Sequence, residues 1–236
     1  MVARDRIAFA LDVEDFSSAR WWAHTLKGYV GYFKIGPELF ISAGPDVVRE
    51  IKSEGFKCFL DLKFHDIPNT VSGAVRSAVR LGVDIMTIHL LGGRDMIKAA
   101  VDSAKKEAMA LSRPTPKIVG VTVLTSLDED DLSDVGINRP LKDEEISLVR
   151  LAISCGIDGV VCSPMDIGYI RPFIPGGFVV ITPGIRPSWA TKGDQARIAT
   201  PRGAIKEGAD LLVIGRPIRD ASDPARAIEK IIEEIT

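Results

Sequence analysis

Cysteine is scarce in this chain of 236 residues: Cys58, Cys155 and Cys162 sit among apolar neighbours, and no C-x-x-C pair exists. That pattern argues against a disulfide framework or a zinc site and reads as reduced core thiols of a cytosolic protein. A surplus of positive charge is missing as well. Lys plus Arg number 30 against 32 Asp plus Glu, for a net charge of -2, and no basic stretch supplies the footprint of a nucleic-acid binder. No apolar run approaches the ~18 residues that a membrane span requires. The opening MVARDRIAFALDVED reaches charged residues too soon for a secretory leader. A soluble, cytoplasmic protein is expected, with neither nucleic acid nor membrane as a partner. Also absent are low-complexity segments, a linker-like break in composition, and a G-x-G-x-x-G after the first apolar run, which removes the dinucleotide-binding fingerprint.

What the chain does have is repetition of short β-rich runs: IAFALDV (7–13), YFKIG (32–36), KCFLDLK (57–63), DIMTIHL (84–90), KIVGVTVL (117–124), DGVVCS (158–163), FVVITPG (178–184) and DLLVIG (210–215). Between them lie stretches with apolar residues at helical spacing, among them DVVREIKSEG (46–55), TVSGAVRSAVRLG (70–82) and EEISLVRLAISCG (144–156), each ending at glycine. DPARAIEKIIEEI (223–235) opens with an Asp cap and a first-turn proline. Strict strand–helix alternation without hairpin signals predicts a parallel sheet. Eight units of about 30 residues, the size of a minimal βα repeat, make a single (β/α)8 TIM barrel over 1–236 the economical α/β architecture. A doubly wound open sheet is the competitor. DEDDLSD (128–134) is the strongest charge run and reads as a solvated loop face.

FLDLKFHDIPNT (59–70) places Asp61, Lys63, His65 and Asp66 at the end of an apolar run. Strand side chains alternate, so Phe59, Asp61 and Lys63 share one face while Leu60 and Leu62 point toward the helices. The same period puts Asp12 with Ala8 and Ala10, and Lys34 with Tyr32. Three adjacent strands would then bring Asp12, Lys34, Asp61 and Lys63 to the barrel mouth, with Asp66 in the following loop. A buried ion pair that merely closes the barrel top is the bland reading, but such pairs add little net stability once desolvation is counted.

An ammonium beside two carboxylates keeps its proton and is poised to donate it, whereas a Schiff-base lysine needs the opposite surroundings. The same carboxylates are hostile to a third: like unit charges 4 Å apart repel by ~4 kcal/mol at an effective dielectric of 20. A substrate carboxylate held there gains by leaving as carbon dioxide, and the ammonium stabilises and then protonates the carbanion. The chemistry favoured is decarboxylation without a cofactor.

The ordered set FALD (9–12), KIG (34–36), DLKFHDIPNT (61–70), VTVLTS (121–126), TPGIRP (182–187), GDQARIATP (193–201) and IGRP (214–217) resembles the bacterial orotidine 5′-monophosphate decarboxylase family over nearly the whole chain. The resemblance implies a (β/α)8 homodimer that converts orotidine 5′-monophosphate to uridine 5′-monophosphate in pyrimidine synthesis, with no cofactor and no metal. It implies Lys63 as proton donor, with Lys34, Asp61 and Asp66 as the charged network around it, and Asp66 and Thr70 contributed across the dimer interface. Asp12 and Lys34 would bind the ribose hydroxyls and Thr125 the pyrimidine. Arg186, Gln195, Gly215 and Arg216 would hold the phosphate, where the last two loops of such a barrel ordinarily bind it. The polar segment from Pro183 to Pro201 reads as a closing lid or an ordinary loop.

The nearest rival is a magnesium-dependent sugar-phosphate enzyme of the same superfamily, such as a hexulose-phosphate synthase, which carries an acidic residue where this chain has Lys34. An ammonium there repels a divalent cation and removes an oxygen ligand. A barrel that binds nucleotide without catalysis is the alternative from another class. Leu90 and Leu91 are larger than the resemblance leads one to expect. His89 reads as a hydrogen-bonded structural histidine, and His65 receives no catalytic role. Trp21 and Trp22 read as helix packing, and Trp189 as a lid contact.

Overall fold

The structure is a computed structural model that describes residues 2–190 and 199–236. All eight expected strands form: β1 Ile7–Ala10, β2 Tyr32–Ile35, β3 Lys57–Phe64, β4 Ile85–His89, β5 Lys117–Val121, β6 Gly159–Val161, β7 Val179–Thr182 and β8 Leu211–Ile214. Each pairs in parallel with the next, and β8 returns to β1, so the sheet is a closed barrel in sequence order. The expected TIM barrel is therefore the observed fold.

Strand alternation divides the apolar residues into two layers. Ala8, Ala10, Phe59, Ile85, Val119, Ile181, Leu211 and Val213 pack inside the barrel. Residues of opposite parity, such as Phe9, Phe33, Leu60 and Met86, face the ring of helices. The helix Pro68–Leu81 buries Val71, Val75, Ala78 and Val79, spaced at one face, and stops at Gly82, whose φ of 81° suits a residue without Cβ. Asp223 caps Pro224–Ile235 by accepting from the Arg226 N–H, as its sequence suggests.

DEDDLSD departs from expectation. It is not a loop but the helix Glu129–Asp134, closed by a capping box in which Asp128 accepts from the Asp131 N–H and Asp131 accepts from the Asp128 N–H. Acidic residues in a first turn complement the helix dipole, so the charge that suggests solvated loop also favours a short helix. The three cysteines are free and buried. Burial, aided by Asp84 and partly offset by Lys52, pushes the Cys58 thiol up to about 12, so it stays protonated and unreactive.

Leu90 is accommodated by a small partner: it is fully buried, and its side chain occupies the space that a Cβ on Gly120 would take. Gly159 has a less yielding neighbour, because a Cβ there would overlap the Val179 carbonyl oxygen of the adjacent strand. Backbone cannot swing aside as a leucine can. Gly159→Ala is therefore expected to destabilise the protein by roughly 3 kcal/mol, more than Gly120→Ala, in urea unfolding. Equal midpoints for the two variants would contradict this packing argument.

Candidate active site

The C-terminal ends of the strands surround a cavity of about 390 Å³. Asp12 lines it from just beyond β1, Lys34, Asp61 and Lys63 from β2 and β3, Thr125 from the loop after β5, Arg186 from the loop after β7, and Gly215 and Arg216 from the end of β8. Between these polar groups the wall is apolar, supplied by residues such as Val121, Val123, Val161 and Pro183. A concave site with a few convergent charges and greasy walls suits a small ligand that carries both a flat ring and anionic groups.

Asp61 is the hub. Its Oδ1 accepts from Lys63 Nζ at 2.9 Å, and its Oδ2 lies 3.6 Å from Lys34 Nζ. Lys34 Nζ in turn donates to Asp12 Oδ1 at 3.1 Å. The order Asp12, Lys34, Asp61, Lys63 thus alternates in charge, with Lys34 and Asp61 mostly buried and Asp12 and Lys63 opening toward the cavity. Burial pushes the Asp61 carboxyl upward, but Lys34, Lys63 and the hydrogen bonds from Lys63 and Thr87 more than offset this and hold it below the usual carboxylate value. A depressed native pKa means that this group stabilises the fold above its unfolded pKa, and that the contribution disappears as pH falls through the native one.

Local backbone geometry aims these charges. β3 slips register against β4 between Leu60 and Phe64, and Lys63 adopts a φ of 48°, in the left-handed region. The Lys63 N–H donates to Thr87 Oγ1 at 2.8 Å, and that hydroxyl donates to Asp61 Oδ1 at 3.0 Å. Alternation with His89 puts Thr87 on the inner face, but sequence alone gave it no role. Sequence reasoning also passed over Arg219, which lines the cavity and donates to the Asp12 carbonyl at 3.0 Å. One helical turn beyond Arg216 is the signal that could have found it.

Asp66 and Thr70 are exposed and do not line the cavity of their own chain. Asp66 instead accepts from the Ile67 N–H at 2.6 Å. Arg186 is buried, with Nη1 3.4 Å from the Ile185 carbonyl. Gln195 lies outside the described residues, as do residues 191–198 of the segment that reads as a lid. His89 differs from the expected hydrogen-bonded histidine: its Nδ1 is buried without a hydrogen-bond partner among the described residues, and its ring stacks on His65, centroids 5.1 Å apart. Burial, then the charges of His65 and Lys63, lower its pKa to about 4, so it is neutral near pH 7. Trp22 packs in the core, while Trp21 is largely exposed and Trp189 sits under the Lys230 ammonium at 5.7 Å.

The profile of the orotidine 5′-phosphate decarboxylase / HUMPS family matches residues 5–231. The chain belongs to that family. It is 49% identical over 236 residues to the orotidine 5′-phosphate decarboxylase of Moorella thermoacetica, covering 100% of this chain and 94% of the relative. The protein of that name from Syntrophotalea carbinolica is 48% identical over 99% of this chain and 96% of its own. Among solved structures, the orotidine 5′-phosphate decarboxylase of Lactobacillus acidophilus superposes with a TM-score of 0.87 at 37% identity, covering 99% of each chain. The enzyme of that name from Pyrococcus horikoshii gives 0.76 at 27% identity, over 97% of this chain and 98% of its own. Family membership gives the segment 61–66 at the end of β3 a context, and the geometry around Asp61 bears on which branch of the family the chain follows. No helix among the described residues is long and apolar enough to cross a membrane.

Proposed function

We propose that this chain, as one catalytic barrel over 1–236, decarboxylates orotidine 5′-monophosphate to uridine 5′-monophosphate and carbon dioxide, without a cofactor. The observation that carries the reading is Asp61 held between Lys34 and Lys63, at 3.6 and 2.9 Å. The substrate carboxylate, bound at the cavity side of this array, meets the Asp61 charge and is destabilised in the ground state. As the bond from C6 of the pyrimidine to the carboxyl carbon breaks, its electron pair stays on C6. Carbon dioxide departs into the apolar part of the cavity. The Lys63 ammonium, already present before the bond breaks, stabilises the growing carbanion and transfers a proton to C6. Water then reprotonates the amine.

Around this centre, Asp12 and Lys34 would receive the ribose hydroxyls, Thr125 the pyrimidine, and Arg186, Gly215 and Arg216, with Gln195, the phosphate. Guanidinium groups and the backbone N–H at the start of Arg216–Arg219 suit a phosphate dianion. Asp66 and Thr70 would complete the site of a partner subunit in a cytoplasmic homodimer. Their exposure supports this, as does that of the nearby Ile67 and Leu91, apolar side chains that are 67% and 40% exposed.

The magnesium-dependent alternative is less well supported because the Lys34 ammonium lies 3.1 Å from Asp12 and 3.6 Å from Asp61. It thus competes for the oxygens that a hard cation would need. The test is loss of orotidine 5′-monophosphate absorbance on adding purified protein, before and after chelation. Undiminished turnover in chelator is expected. An inert protein, or one whose activity disappears with chelator and returns with magnesium, would overturn the proposal.

A further inference from the structure

We propose that Thr87 is a positioning residue for this reaction: its hydroxyl grips the Lys63 main chain and the Asp61 carboxylate together, so that the ammonium and its counter-charge keep one geometry through turnover. The proposal rests on the decarboxylase reading of the site.

Thr87 is fully buried on β4, facing the barrel interior between Ile85 and His89. Its hydroxyl has one proton to give. The Lys63 N–H can only donate, so at 2.8 Å the threonine oxygen must accept there. That leaves the hydroxyl proton for Asp61 Oδ1 at 3.0 Å, the same oxygen that takes Lys63 Nζ at 2.9 Å. A closed ring results, from Lys63 N–H through Thr87 and Asp61 back to the Lys63 ammonium. Every donor and acceptor direction in it is determined by valence.

The ring lies where the sheet itself gives way. Between Leu60 and Phe64 the β3–β4 register shifts, and Lys63 takes a φ of 48°, which a side chain with Cβ adopts at some cost. A side-chain hydroxyl receives the Lys63 N–H at this irregularity. Threonine therefore supports the turn that brings Lys63 back over Asp61, two residues earlier in the same strand. Among the described residues, the titratable groups around Asp61 are Lys34 from β2, Lys63 from its own strand and Asp12 beyond Lys34, with His89 and its stacked partner His65 near Lys63. Thr87 is the neutral member of this set and the one that also holds main chain.

Valine keeps the shape of threonine and removes the hydroxyl, leaving the Lys63 N–H without its acceptor and Asp61 with one donor fewer. Serine keeps the hydroxyl. The experiment measures kcat and KM across pH for the wild type, Thr87→Val and Thr87→Ser. For Thr87→Val, kcat is expected to fall about 30-fold, with KM within about 3-fold, and the acid limb of the profile to move to higher pH. Thr87→Ser is expected to stay within about 3-fold of wild type. Wild-type kcat and an unmoved acid limb in Thr87→Val would overturn the proposal. So would equal losses in both variants with no shift of the limb, since packing at the site and not the hydroxyl would then be what matters. Thermal unfolding across pH gives a readout independent of turnover: Thr87→Val should begin to lose stability on acidification at a higher pH than Thr87→Ser, and parallel curves would count against the proposal. A wild-type protein inert toward the nucleotide would sink the decarboxylase reading alone, because the unfolding comparison still judges the grip on Asp61.

Discussion

Lys63→Ala is expected to lower kcat/KM for orotidine 5′-monophosphate by about 10⁵-fold, the combined scale of losing a general acid and a charge stabiliser aimed at the developing carbanion. The effect should fall on kcat. The Lys63 side chain is 36% exposed, so alanine removes little packing. Asp61 would still have Lys34 at 3.6 Å and the Thr87 hydroxyl at 3.0 Å, which keeps the fold populated at neutral pH. Steady-state decarboxylation, with circular dichroism as the folding control, measures this. A loss below about 100-fold in a folded variant would remove Lys63 from the role of proton donor.

Arg216→Ala should act in the opposite manner, raising KM about 100-fold while kcat stays within a few-fold, because a phosphate contact is made equally in the ground and transition states. Arg216 opens the short helix after β8 and lines the cavity with Arg186. The cleanest check uses products: inhibition by uridine 5′-monophosphate should weaken by the same factor, whereas uridine, which has no phosphate, should bind as before. Comparable weakening of uridine would place Arg216 away from the phosphate. Equal and mild effects from Lys63→Ala and Arg216→Ala would contradict both assigned roles.

Much of this site is legible from residue spacing. Asp61 and Lys63 follow Phe59 at intervals of two, Lys34 follows Tyr32, and Asp12 follows Ala8 and Ala10, so alternation alone puts all four toward the barrel interior. The structure brings all four to one cavity even though β1 ends at Ala10 and Asp12 lies beyond it. Alternation fails where the strand stops being regular. The bulge in β3 and the left-handed turn at Lys63 carry no glycine or proline to announce them, and so the partnership of Lys63 with Thr87 had no local sign. His89 illustrates the same limit: its parity identifies the inner face, but the stack on His65 requires two strands to end at matching heights. DEDDLSD misleads for a different reason, since acidic residues serve a solvated loop and a helix N-terminus equally well.

The amino-acid order by itself determined the number of strands, their parallel direction, and the side chains that point inward, because periods of two and 3.6 residues are properties of a single segment of backbone. Tertiary structure alone decided which hydroxyl links Asp61 to Lys63, that Arg219 reaches the Asp12 carbonyl 207 residues away in sequence, and that Asp66 and Thr70 stay outside the cavity of their own chain. Those relations depend on the register between neighbouring strands and on the closing of β8 against β1. Barrel closure sets them jointly, and no one segment specifies them.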